Sequence, residues 1–316
     1  MSSVSLDIVI PVYNEQECLP NLLERLLAVR ASLENDQMRF IFVNDGSKDS
    51  SAVMLCDYAK AYPFVSVLHF SRNFGHQIAI TAGIDFAKGD YVAIIDADLQ
   101  DPPELIKEMF EKAQAGYDIV YAKRLTRKGE SWFKRITAKI FYRLISKMCD
   151  VDIPADTGDF RLISQRVANE LRGIREQHRF VRGLVPWVGF SSVAIEYHRD
   201  ERYAGMTKYP LRKMIAFGKD AIFSFSRTPL KVASLVGWVI VWFGVFGSLA
   251  MLYIKLYTNL AVPGITAILI TIIILGGIQI IMLGIIGEYV GRVFEEAKGR
   301  PLYIIAQKNN FSNDNL

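Results

Sequence analysis

Short apolar runs rich in β-branched residues alternate with longer amphipathic stretches through the first third of the chain. The runs LDIVIPV (6–12), RFIFV (39–43), VSVLHF (65–70), YVAII (91–95) and DIVYA (118–122) predict strands, and the stretches opening near Glu15, Asp49, Gly75 and Pro102 predict helices. Strands and helices taken in turn imply an α/β fold, a mostly parallel Rossmann-like sheet with crossover helices. Ligands of such sheets lie beyond the carboxyl ends of the strands. The polar clusters of this chain fall at those ends: PVYNE after the first run, NDGSKDSS after the second, SRNFG after the third and DADLQ after the fourth.

The pattern changes near the C-terminus. Leu235–Ile254 and Ile265–Gly287 hold no charged residue, and each is close to the roughly 20 residues that a bilayer-spanning helix needs. Helices of soluble proteins carry a polar stripe, so these two runs predict transmembrane helices. Arg212, Lys213, Lys219, Arg227 and Lys231 precede the first, Arg292, Lys298 and Arg300 follow the second, and the loop between them offers only Lys255. By the positive-inside rule both termini face the cytoplasm. The opening MSSVSLDIVIPVYNE shows no basic leader followed by a long apolar segment, which keeps the N-terminal part in the cytosol of a multi-pass protein of the plasma (inner) membrane. Trp132–Met148 and the stretch 211–229 mix aromatic, aliphatic and basic residues at helical spacing, as helices lying in the membrane interface do. Gly287 and Gly291 form a GxxxG, which favours close helix approach, either to the first span or to a second protomer of a homo-oligomer.

Composition agrees with a soluble core plus a membrane part: 51% of the 316 residues are hydrophobic. The formal charge of +4 is modest, and its basic residues gather near the apolar segments rather than among aromatics, which excludes a nucleic-acid binder and suits anionic headgroups. Cys18, Cys56 and Cys149 lack CxxC spacing, so neither a zinc nor a disulfide framework is expected. The four histidines are scattered, and His69, closing an apolar run, reads as a structural residue.

DADLQDPP (96–103) places three carboxylates within six residues just where a strand leaves the core. Unpaired carboxylates do not stay in a strand interior, so this is a place for a cation. Asp96, Asp98 and Gln100 supply hard oxygen ligands for Mg²⁺ or Mn²⁺. Asp101 reads as the cap of a helix whose first turn holds Pro102 and Pro103. Pro11, Tyr13, Glu15, Val43 and Asp45 could shape a site for a base and ribose, while GxxxxGK[ST] and GxGxxG are both absent. A sugar nucleotide is the ligand that meets these conditions.

Together, VIPVYNE, VNDGSKD, FSRNFG, DADLQDPP, AKR, TGDFRLI and GEYVGR resemble a family-2 glycosyltransferase of the GT-A fold. The branch most similar is that of the polyisoprenyl-phosphate glycosyltransferases, in particular bactoprenol glucosyltransferases; dolichol-phosphate mannose synthases are similar over the catalytic domain. The resemblance implies metal-dependent, inverting transfer of a sugar from a nucleoside diphosphate to the phosphate of a long isoprenoid such as undecaprenyl phosphate, for cell-envelope glycan or lipid glycosylation. UDP-glucose is the first donor it implies, with UDP-N-acetylglucosamine, UDP-galactose and GDP-mannose left open. It divides the chain into a GT-A catalytic domain (1–210), a juxtamembrane amphipathic helix (211–230), two transmembrane helices (231–292) and a cytosolic tail (293–316).

Carried over by position, the resemblance puts Pro11, Tyr13, Glu15, Val43 and Asp45 on the nucleotide, and Asp96, Asp98 and Gln100 around the metal with Ala97 beside the donor. Arg124 is implied near the diphosphate and acceptor phosphate, and Arg202 and Lys208 on a loop that closes over the donor. Arg135 and Lys139 are implied at the acceptor phosphate and Asp159 at the reacting centre. Asp159, Arg124 and Arg202 thus carry the catalytic roles. Other classes fare worse on the residues. A processive polysaccharide synthase would show QxxRW, a transporter an ionisable residue within its spans, and a non-catalytic adaptor no reason to keep the full ligand set.

Overall fold

The computed structural model describes residues 4–33, 37–125, 157–198, 228–257 and 264–311. The first three predicted strands form almost as expected: β1 (Leu6–Val12), β2 (Met38–Asn44) and β3 (Val65–Phe70). All seven residues of β1 are buried, as a strand covered on both faces requires. β4 (Tyr91–Ile94) and β5 (Ile119–Arg124) follow, and three strands outside the predicted set complete the sheet: β6 (Thr157–Ser164), β7 (Ser192–Tyr197) and β8 (Ile305–Asn309). The order is β7-β5-β6-β4-β1-β2-β3-β8. β1, β2, β3 and β4 pair in parallel, as do β5 and β7, whereas β6 runs antiparallel between β4 and β5, and β8 antiparallel along β3. The mostly parallel Rossmann-like sheet meets the GT-A expectation.

Helices cover both faces. In α1 (Leu19–Ser32), Leu19, Leu22, Leu23, Leu26 and Val29 form one buried stripe at helical spacing, with proline in the first turn. With α2 (Ser51–Ala61) and α4 (Leu105–Gln114) it packs on Leu6, Ile8, Ile10, Phe40 and Phe42. The opposite face, with Val9, Ile41 and Ile94, takes α3 (His76–Phe86), α5 (Gln165–Gly173) and α6 (Val181–Trp187). Gly83 lets α3 lie directly on β1, since a Cβ there would overlap the Val9 side chain. α4 starts at Leu105, with Glu104 at its N-cap, so the cap expected at Asp101 does not form.

Two long helices follow, α7 (Thr228–Tyr257) and α8 (Ile265–Ala297), enclosing the apolar runs read from the sequence. Both are long and apolar enough to cross a membrane, and their apolar windows are 6% and 0% buried. Among the described residues the pair is not covered by the rest of the chain; Trp238 and Phe243, for example, are 64% and 81% exposed. Gly287 and Gly291 do not pack on α7: a Cβ at either would meet nothing within 4 Å.

The stretch expected as a tail is tied to the sheet. The Gln177 N–H donates to Glu296 Oε1 at 2.6 Å, and its side-chain amide donates to Arg300 O at 2.6 Å. Tyr303 stacks on Phe70 and donates to Asp85 at 2.8 Å. β8 then pairs with β3, and Asn310 donates to Val65 O at 2.8 Å. His69 is structural, as expected, with its ring nitrogens against Asn44 and Cys56.

Candidate active site

The loops at the carboxyl ends of β1, β2 and β3 are sewn to one another before any ligand is considered. Asn14, in the left-handed region (φ 54°), accepts from the Lys48 N–H at 2.8 Å, and its own N–H donates to Ser47 Oγ at 3.0 Å. The Glu15 N–H donates to Ser51 Oγ at 3.1 Å. Gly46 (φ 65°) touches the next loop so closely that a Cβ would lie 2.6 Å from the Arg72 carbonyl carbon. Asp45, 2% exposed, accepts the N–H groups of Phe74 and Gly75 at 2.6 and 3.0 Å. Burial pushes its carboxyl up, against those two hydrogen bonds.

These loops, the β4 end and β6 enclose a cleft of about 330 Å³. Pro11, Tyr13, Glu15, Asp45, Asp96, Ala97, Asp98 and Asp159 all line it. Asp159 reaches the cleft because β6 is inserted beside β4, with Ile94 opposite Arg161. Two further residues that the sequence pattern did not single out line it too: His76, at the start of α3, and Arg182, on α6.

His76 and Arg182 set the electrostatics. Arg182 grips Asp159 with both arms, Nε to Oδ1 at 2.8 Å and Nη2 to Oδ2 at 2.7 Å. His76 Nε2 lies 3.2 Å from Asp159 Oδ2 and 3.4 Å from Asp96 Oδ1, and Gln77 adds a contact at 3.4 Å. Burial pushes the Asp159 carboxyl up, but Arg182 and His76 overcome it and hold the group well below the usual range. Burial pushes the His76 imidazole down, while Asp96 and Asp159 carry it up to about 9. Asp96 is raised, first by burial and then by Asp159, Asp101 and Asp98, with His76 acting against this. Its Oδ1 is buried without a hydrogen bond, although the His76 imidazole lies 3.4 Å away.

His76, Asp96 and Asp159 each offer a ligand atom, all within 4.8 Å of one another, a grouping able to hold a metal ion. The scattered histidines of the sequence therefore do not all stay apart. Gln100 is not part of the cleft lining; its N–H donates to Asp98 Oδ1 at 3.2 Å in a turn. Val43 faces the apolar core. Arg124 stands outside the cleft, with Nη2 3.6 Å from Asp101 Oδ2 and Nε 3.2 Å from the Tyr197 hydroxyl. Asp101 is fully buried and accepts from the Tyr197 hydroxyl, which corrects the capping role. Arg135, Lys139, Arg202 and Lys208 lie outside the described residues.

Comparison with known proteins matches residues 7–172, from β1 into α5, to the family described as glycosyl transferase family 2. The chain belongs to that family. The similarity to whole proteins extends through α7 and α8. An uncharacterized glycosyltransferase of Bacillus subtilis strain 168, YkcC, is 49% identical over 313 residues, 99% of this chain and 97% of the relative. An uncharacterized glycosyltransferase of Synechocystis, sll0501, is 44% identical over 96% of this chain and 95% of its own length. A prophage bactoprenol glucosyl transferase homolog of Escherichia coli K12 is 39% identical over 96% of this chain and 98% of its own length. The matched lengths of this glycosyltransferase thus take in the segments of both apolar helices, in relatives of nearly the same length.

Proposed function

We propose that this glycosyltransferase moves glucose from UDP-glucose to the phosphate of a membrane polyisoprenyl phosphate, with inversion. The observation that carries the reading is the convergence of Asp96, Asp98 and Asp159 with His76 and the Arg182 guanidinium in one cleft at the carboxyl ends of the strands. The near full-length similarity to a protein named as a bactoprenol glucosyl transferase homolog supports the choice of lipid and sugar. α7 and α8 would cross the plasma membrane, with the catalytic domain and both termini on the cytoplasmic side.

The donor set fits a divalent cation. The orphaned, buried Asp96 Oδ1 and the crowding of Asp98, Asp101 and Asp159 around Asp96 leave negative charge that a cation offsets. Asp96 and Asp98 would hold Mg²⁺ or Mn²⁺; Asp159 serves poorly as a ligand, since Arg182 takes both its oxygens. When bound, the ion neutralises charge on the leaving diphosphate.

The chain's own residues do the rest. A phosphate monoester, with a second pKa near 6, is already a dianion at neutral pH and needs no base to become a nucleophile. One of its oxygens forms the bond to the anomeric carbon as the bond from that carbon to the diphosphate breaks, and the electron pair leaves with the diphosphate. No proton moves. Asp159, ionised and clamped between Arg182 and His76, is built to orient rather than to accept a proton. Arg182 places positive charge in the cleft where negative charge gathers in the transition state.

Membranes carrying the enzyme, given radiolabelled UDP-glucose and undecaprenyl phosphate and then extracted with organic solvent, test the reading. Label in the lipid phase supports it. Label only from GDP-mannose or UDP-N-acetylglucosamine would replace the glucosyl assignment, and label in insoluble polymer would replace the reaction.

A further inference from the structure

Three segments far apart in the sequence meet at one side chain that does not itself line the cleft. Gln77, half-buried, is the second residue of α3, next to His76. Its Oε1 accepts the Val181 N–H at 2.9 Å, 104 positions away, and its Nε2 stands 3.4 Å from Asp159 Oδ2, 82 positions away. Its main-chain oxygen accepts the hydroxyl of the fully buried Thr81 at 2.8 Å, which steadies the turn from which the side chain extends.

The two ends of this amide are not interchangeable. A main-chain N–H only donates and an ionised carboxylate only accepts, so the oxygen must face Val181 and the nitrogen Asp159. Val181 opens α6, and Phe180 before it supplies no side-chain cap. Gln77 takes that place from another helix. The residue after Val181 is Arg182, whose guanidinium holds both oxygens of Asp159. One end of the glutamine therefore rests on the start of the helix that carries the cation, and the other on the anion. Its length sets the spacing between them.

We infer that Gln77 is a positioning residue for sugar transfer: it holds α6 and β6 in the relation that lets the Arg182–Asp159 pair face the cleft. It acts only through that pair. That a displaced Asp159 slows transfer rests on the function proposed above. A shift of about an ångström at a reacting centre costs on the order of a hundredfold in rate. Arg182 would still hold Asp159 directly, so the loss on removing Gln77 is expected to be smaller, about tenfold.

The test uses the full-length enzyme in nanodiscs with Gln77→Met, Gln77→Glu, Asp159→Asn and the double variant of Gln77→Met with Asp159→Asn. Methionine keeps the length and loses both contacts. Glutamate keeps an acceptor for the Val181 N–H but sets a second carboxylate against Asp159. Both single changes at Gln77 should lower kcat by about tenfold while UDP affinity and the KM for the sugar nucleotide stay within about threefold. In the Asp159→Asn background, Gln77→Met should lower kcat by less than about threefold further, because the pair it serves is already broken. A glutamine needed for stability alone would lower the melting temperature and leave kcat per folded enzyme unchanged. If Gln77→Met does not fold, as loss of UDP binding would reveal, Gln77→Glu decides, since it retains the cap on α6. Wild-type kcat in the folded variant, or losses that multiply in the double variant, overturn the inference. Wild-type kcat in Asp159→Asn would sink the role of Asp159 and that of Gln77 with it, whereas a fall there without one at Gln77 sinks Gln77 alone.

Discussion

Replacing Asp101 by asparagine puts the least conspicuous carboxylate of DADLQDPP to work. Asparagine keeps the size of the side chain and can still accept from the Tyr197 hydroxyl, so the change removes little besides charge. That charge faces the Arg124 guanidinium at 3.6 Å, and the two side chains are 0% and 13% exposed. Breaking a buried pair by neutralising one partner destabilises by about 3–5 kcal/mol, and the long separation and residual exposure of Arg124 place this pair at about 3 kcal/mol. For a domain of this size that corresponds to a melting temperature lower by roughly 6–12 °C. Tyr197→Phe should remove about 1–2 kcal/mol, and the double variant should fall short of the sum, because the three groups form one chain of contacts. Thermal unfolding followed by tryptophan fluorescence, in detergent with and without UDP, measures all three. If Asp101→Asn melts with the wild type, the pairing across the β4–α4 loop contributes nothing and the reasoning fails.

Asp98→Asn should abolish Mn²⁺-dependent UDP binding and transfer together, as calorimetric titration and turnover would show, whereas Asp159→Asn should lower turnover far more than UDP affinity. A chain cut after Arg227 should still bind UDP, since the cleft precedes that point, but it should melt earlier and aggregate more readily, because β3 loses β8 and becomes an open edge. Burial pushes the Asp118 carboxyl up, but hydrogen bonds from Ser191 and Ser164 and the Arg166 guanidinium hold it below its ordinary value. Its contribution is therefore present above the unfolded value of about pH 4 and disappears as pH falls through the folded one. The melting-temperature gap between wild type and Asp118→Asn should be open at neutral pH and close in acid; a gap independent of pH would count against it.

The strands that could be read from the sequence are those whose apolar runs are uninterrupted. β1 and β2 are buried on both faces, so hydrophobicity alone announces them. β6 escaped because Asp159 and Arg161 sit in its interior and break the run, and they are there because that face borders the cleft and a second cavity. β7 is half exposed at the sheet edge, and β8 comes after a long apolar helix where no strand pattern is sought. The cleft was legible as a set of loops because parallel topology forces polar clusters to one end. His76 and Arg182 were not, since each meets Asp159 only through the fold, 83 and 23 positions away. FSRNFGHQ carried His76 one residue beyond its turn glycine, the one local sign available. Asp101 misled because two prolines imitate a helix start, while the first hydrogen-bonded turns close on Pro102 O and Pro103 O, from the Leu105 and Ile106 N–H groups, and leave Asp101 outside them.

The eighth strand changes what the two long helices are to the rest of the molecule. β8 joins β3 across a gap in sequence spanned by both helices, with Ser66 and Asn310 bonded at 244 positions apart. The helical pair is thus a loop of the catalytic sheet rather than an appendage to it. During synthesis β3 is made before both helices, and its outer partner after them. The sheet can be completed only after both helices have been made and their ends brought back together. If α7 and α8 cross a membrane as proposed, completion of the enzyme would be conditional on their insertion: a chain whose second helix went astray would carry its final strand to the wrong side and leave β3 uncovered.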